Sequence, residues 1–242
     1  MIVALSWLAG ACGGGGPQAP ALRSQPIPDA RCGELGVELD GRCWPVALRT
    51  QGWDEEPRRI ESDPDAVAAL EPLIARGCRP EGNAVAGAGA AFAHVTCGRF
   101  HGAVPGELVR VEPSGATIRV AVPATGGSRL TFIPGARPLI AAVFNHVGTM
   151  VFDARSVDGL AGWSEMGSWF NATTWGGAAS PDGAWLAVPF PYHRRIDFIR
   201  VADLTAVAAL QLPVEPPRGH GPGRVVWSSD GLEVTSYPLP YE

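Results

Sequence analysis

From about Glu107 onward the chain never runs long without interruption. Short runs rich in β-branched and apolar residues (ELVRVEP, ATIRVAVP, RLTFIP, LIAAVF, TMVFDA, AWLAVPF, IDFIRVAD, VAALQLP, RVVWSS, LEVTSY) alternate with Gly, Pro and Asp turns. Such punctuation leaves no room for long helices and predicts many short antiparallel strands in a sandwich, barrel or propeller. The 31 glycines and 23 prolines fit a turn-rich chain, and the 46% hydrophobic content is enough for a packed core.

Two of these turns repeat. Ser180-Pro181-Asp182-Gly183 precedes AWLAV, and Ser228-Ser229-Asp230-Gly231, with Trp227 before it, precedes LEVTS, an offset of 48 residues. Asp-Gly is a strong hairpin signal. IDFIRVADLTAVAAL then supplies a strand ending near Asp203. These residues resemble the repeat of the TolB-type and WD-repeat-like β-propeller families, in which W-S-P-D-G joins the first two strands of a blade. The resemblance implies that Asp182, Gly183, Asp230 and Gly231 occupy equivalent turns of successive four-stranded sheets. Weaker echoes lie around Gly148 and Gly115, which would space the turn glycines 33, 35 and 48 residues apart. The fold expected for residues 107–242 is therefore mainly β, an incomplete or degenerate β-propeller-like array of antiparallel sheets, with a β-sandwich as the alternative. About three and a half blades can be counted. Either the N-terminal hairpin supplies strands, the array is open, or the chain is a fragment.

The N-terminus reads as an address. Ile2 to Leu8 is a short apolar run followed by Ala9-Gly10-Ala11, the form of a secretory signal over residues 1–11. Leu8-Ala9-Gly10-Ala11-Cys12 resembles the bacterial lipoprotein lipobox. That resemblance implies a lipid on the Cys12 thiol, a membrane held through that lipid, and a bacterial cell-envelope location. No Lys or Arg precedes the apolar run. Residues 12–28, with Gly13 to Gly16 and several prolines, read as a flexible tether.

Four cysteines follow: Cys32, Cys43, Cys78 and Cys97. An even number in an exported chain suggests two disulfides. Three pairings are open, and Cys32–Cys43 with Cys78–Cys97 is favoured because Asp40-Gly41 makes a hairpin turn between the first two. A zinc site is the rival, but no Cys-x-x-Cys occurs. Residues 29–106 read as a small disulfide-stapled α+β region. Its one helix starts at Ser62-Asp63-Pro64-Asp65, places Val67, Leu70 and Ile74 on one face, is interrupted at Pro72 and ends at Gly77. A strand follows at Ala91–Cys97.

A net charge of -5 argues against nucleic acid. No G-x-S-x-G, H-E-x-x-H or phosphate-loop motif occurs, so the expectation is no cofactor, no metal and no recognisable catalytic set. Candidate ligand contacts are Trp163, Trp169 and Trp175, which would stack on sugars or anchor a protein if exposed, and the polar group His193, Arg194 and Arg195. The alternatives are that the tryptophans fill space between sheets and the polar group is a solvated loop. The reading favours a scaffold that binds a protein or glycan of the envelope over a hydrolase with a dispersed site.

Overall fold

Turn chemistry at one end of the molecule organises the chain. In the computed structural model, which describes residues 17–23, 27–50, 61–98, 106–122, 127–144, 147–163, 177–190, 194–212 and 220–238, eighteen strands and one helix follow in order. They are β1 (Leu22–Arg23), β2 (Gly36–Leu39), β3 (Arg42–Thr50), α1 (Pro64–Ile74), β4 (Cys78–Pro80), β5 (Val85–Gly87), β6 (Ala90–Cys97), β7 (Gly106–Val111), β8 (Thr117–Val122) and β9 (Ser128–Ile133). Then come β10 (Leu139–Phe144), β11 (Gly148–Asp153), β12 (Gly159–Trp163), β13 (Ala178–Ala179), β14 (Trp185–Phe190), β15 (Arg195–Arg200), β16 (Thr205–Gln211), β17 (His220–Ser228) and β18 (Gly231–Pro238).

The strands form four mainly antiparallel sheets. The first runs β4-β6-β7-β8, with β5 also on β6. The second runs β9-β10-β11-β12, with β1 added outside. The third is β13-β14-β15-β16. The fourth is β17-β18-β3-β2, so the N-terminal hairpin completes a sheet begun by the C-terminal one, with β3 parallel to β18. The boundary expected at 106/107 therefore falls inside the first sheet, where β6 pairs with β7.

Alternation along each strand sends side chains to both faces, and both faces of the two middle sheets are apolar. Three cores result. Phe92, Leu108, Phe144 and Phe152 fill the space between the first and second sheets. Ile133, Val151, Trp163 and Leu186 lie between the second and third. Trp44, Phe198, Trp227 and Val234 lie between the third and fourth. A fourth cluster packs α1 on the other face of the first sheet.

Helix α1 starts where expected. Asp63 is the N-cap, accepting from the backbone N–H groups of Asp65 and Ala66, and Pro64 fills the first turn. Two expectations are corrected. Ala66, Leu70 and Leu73 are the buried face, whereas Val67 and Ile74 are 42% and 44% exposed. The helix turns this way because the small Ala91 and Ala93 of β6 admit close approach. Pro72 does not interrupt it either, because it lies in the last turn, near the end of the hydrogen-bond ladder.

Both expected disulfides are formed. Cys32–Cys43 has a Cα separation of 6.0 Å, and Cys78–Cys97 joins directly opposed residues of β4 and β6 at 4.0 Å.

The described part of the expected tether is packed structure. Gln18 accepts a hydrogen bond from the N–H of Gly159, and Leu22–Arg23 pair with β12. Pro28 and Ala30 bond Ala209 of β16, and Ala30 accepts from Glu38 of β2. The described residues 17–23 and 27–31 thus strap the outer edges of the second, third and fourth sheets in turn. Edge strands offer unpaired N–H and C=O groups, which a Pro-rich extended segment can take up.

Candidate functional site

Following the strands places the Asp-Gly turns at one end of the sheets. The turn 182–183 joins β13 to β14, and 230–231 joins β17 to β18, the same position in two successive sheets. The matching turns of the other sheets hold Gly89, between β5 and β6, and Gly135, between β9 and β10. These four glycines stand 46, 48 and 48 residues apart. Of the expected echoes, Gly115 lies instead in the turn before β8 and Gly148 opens β11, which are different corners of their sheets. The Asp-Gly dipeptide was the visible signal; Pro134-Gly135 and Ala88-Gly89 make the same corner without it.

Several acids at this end already have partners. Ser180 donates to Asp182 Oδ1 at 2.5 Å, the Ala184 N–H donates to the same oxygen, and the pair holds the Asp182 carboxyl below its ordinary range. Gly183, at φ +70°, sits so close to the second sheet that a Cβ would lie 2.6 Å from the Pro134 carbonyl oxygen. Further acids occupy the turns at the outer corners: Glu112 pairs with Arg110, Asp153 with Arg137, and Asp203 and Asp40 share Arg200. Asp153 stays below its ordinary range despite partial burial because the Arg155 N–H and the Arg137 guanidinium favour its charge. A groove of about 350 Å³ lies beside these turns, but Asp182 and Asp203 in its wall already have partners.

The larger cavity, about 660 Å³, opens among the first strands of the second, third and fourth sheets. Ala178 and Ala179 of β13 make one wall with side chains too small to fill it, Thr131 of β9 another, and Arg224 and Trp227 of β17 a third. Glu61, ahead of α1, completes the rim. Thr131 donates to the Gly177 carbonyl. Arg224 and Glu61 have no ion pair or hydrogen bond with each other or with any other described residue. The Trp227 Nε1–H is buried without a hydrogen-bond partner among the described residues, its ring edge-on to Trp44 and Phe198. A concave space in which a few polar and charged groups converge is a candidate binding site.

The expected ligand contacts fare unevenly. Trp163 is 7% exposed and belongs to the core between the second and third sheets, so it does not stand on an exposed surface. Arg195 is ion-paired with the buried Asp197 at 2.6 Å and lies near the Phe190 ring. The Arg194 carbonyl accepts from the Leu212 N–H and from Gln211 Nε2. These two arginines are engaged within the third sheet and do not reach the cavity wall. Trp169, Trp175, His193 and Cys12 lie outside the described residues. Sequence reading missed Arg224 and Glu61, because neither stands in a motif; β17 and the approach to α1 bring them to one space only after folding. Among the described residues no three His, Cys, Asp or Glu side chains gather as a metal site.

One more buried group stands out. His94 of β6 is fully buried, edge-on to Phe144, with neither ring nitrogen hydrogen-bonded among the described residues. Burial pushes its pKa down to about 4, against the opposing pull of Glu81. It is a neutral core residue at this position.

No family model matches the chain, and no curated protein matches it. Among solved structures, apo AztD from Citrobacter koseri is similar with a TM-score of 0.41 at 9% identity, over 64% of this chain and 38% of that one. A second AztD structure from Citrobacter koseri gives 0.38 at 11% identity, over 67% and 39%. The chain spans less than two fifths of the length of either AztD chain.

Proposed function

We propose that this chain is an exported binding module of the bacterial cell envelope, an incomplete β-propeller-like array held to a membrane by a lipid on Cys12, which takes a protein or glycan of the envelope at the cavity formed by its first strands. The cavity carries the reading: there Arg224 of the fourth sheet and Glu61, ahead of α1, share space without pairing with each other. The four sheets in series, with matching turns 46 to 48 residues apart, support a propeller-like array. The three described intersheet cores, with α1 on the outer face of the first sheet, support an array that does not close into a ring. Two disulfides fit an oxidising compartment. No described helix is long and apolar enough to cross a membrane, and the Leu8–Cys12 pattern supplies the anchor.

Co-purification from native membranes tests this reading, using the parent chain and Ala178→Trp, which fills the cavity. The expected result is a partner retained by the parent and lost by a folded Ala178→Trp. Turnover of an esterase, glycosidase, peptidase or phosphatase substrate, abolished by changing one polar residue, would replace binding with catalysis.

A further inference from the structure

We infer that the cavity takes a small zwitterionic carboxylate, an amino acid or short peptide, with its carboxylate on Arg224 and its ammonium on Glu61. The inference rests on the binding reading above and specifies the ligand chemistry. A guanidinium presents several N–H donors in a planar fork that matches a carboxylate. Arg224 is partly buried, lines the cavity and has no described partner. Arg79, Arg110, Arg119, Arg137, Arg195 and Arg200 are ion-paired with acids on their own surfaces. Arg224 makes no ion pair with any described residue although an acid, Glu61, lines the same cavity.

The two charges are carried by different parts of the fold, β17 and the residue that leads into α1, and do not pair with each other. A ligand with one charge of each sign satisfies both ends. A simple anion would leave Glu61 facing it, and a cation would face Arg224. One part of the wall is small: Gly177, Ala178 and Ala179 leave room for a short main chain. Among the described residues β13 is an end strand of its sheet, the kind of edge at which an extended peptide adds.

The test is calorimetric titration of the folded full chain with L-alanine, alanyl-alanine, acetate and glucuronate. Alanyl-alanine or L-alanine should bind, and more tightly than either simple acid. Arg224→Ala should weaken that binding at least tenfold, Arg224→Lys less. Glu61→Gln should erase the preference for zwitterions while leaving acetate unchanged. Equal or tighter binding of glucuronate by the parent, or no effect of either substitution, overturns the assignment. If no zwitterion binds while Ala178→Trp still abolishes partner capture, the ligand class is wrong and the binding module stands. If neither result appears, both fail.

Discussion

Asn83 and Leu130 bond in both directions: Asn83 Nδ2 donates to the Leu130 carbonyl at 3.0 Å, and the Leu130 N–H donates to Asn83 Oδ1 at 2.8 Å. The amide is 4% exposed and imitates one rung of a strand ladder. It covers the inner edge of β9 and ties the segment between β4 and β5 to the second sheet. Asn83→Ala would leave a buried N–H and a buried carbonyl without partners. We expect a loss of about 2–3 kcal/mol, read from denaturant midpoints. Asn83→Asp should cost at least as much, since it sets a buried carboxylate against the Leu130 carbonyl oxygen.

His94 gives stability a pH dependence. Its native pKa is lowered to about 4, against an ordinary 6.5, so the unfolded chain binds this proton more readily than the native one. The contribution is complete above about pH 6.5 and is lost as pH falls from there toward 4, with a limiting slope of about 1.4 kcal/mol per pH unit. Unfolding measured between pH 7 and 4 should show that slope. His94→Leu should remove it, whatever the variant's stability at pH 7.

Gly159 lies under the strap. A Cβ there would stand 2.4 Å from the Gln18 carbonyl oxygen and would also strike Pro20. Gly159→Ala should lift residues 17–23 from β12 and cost about 1–3 kcal/mol, as overpacking does. Hydrogen exchange should rise at β12 and at the strap and remain unchanged at α1.

Cys78–Cys97 closes a 19-residue separation between β4 and β6. Replacing both with Ala should cost about 3 kcal/mol, chiefly by freeing the unfolded chain. Cys32–Cys43 fixes the hairpin that completes the fourth sheet. Its loss should also loosen β17 and β18, a long-range effect visible in exchange of the Val234 amide.

Much of the fold was legible in the sequence because it depends on local rules. Asp-Gly turns, the Asp63-Pro64 helix start and the Cys32–Cys43 hairpin each follow from a few adjacent residues. The rest depends on distant pairing. Nothing near Leu48 says that β3 will lie parallel to β18, and nothing near Pro28 says that its carbonyl will serve Ala209. A Pro- and Ala-rich segment looks like a tether until an edge strand is there to receive it. The α1 face was misread by one position because the small partners Ala91 and Ala93, 18 to 27 residues from its buried side chains, decide how the helix turns. The candidate site was the least legible part, since Arg224 and Glu61 are 163 residues apart and only the array brings them to one cavity.

The central claim is that partners enter at the cavity and not at the Asp-Gly turns. The direct measurement is photo-crosslinking in intact cells, with the reactive residue at Val226, 41% exposed on the cavity wall, and separately at Arg155, exposed at the turn end. A discrete adduct from Val226 and none from Arg155 is the result predicted here. An adduct from Arg155 alone, or none from Val226 in a folded, membrane-held protein, would contradict it.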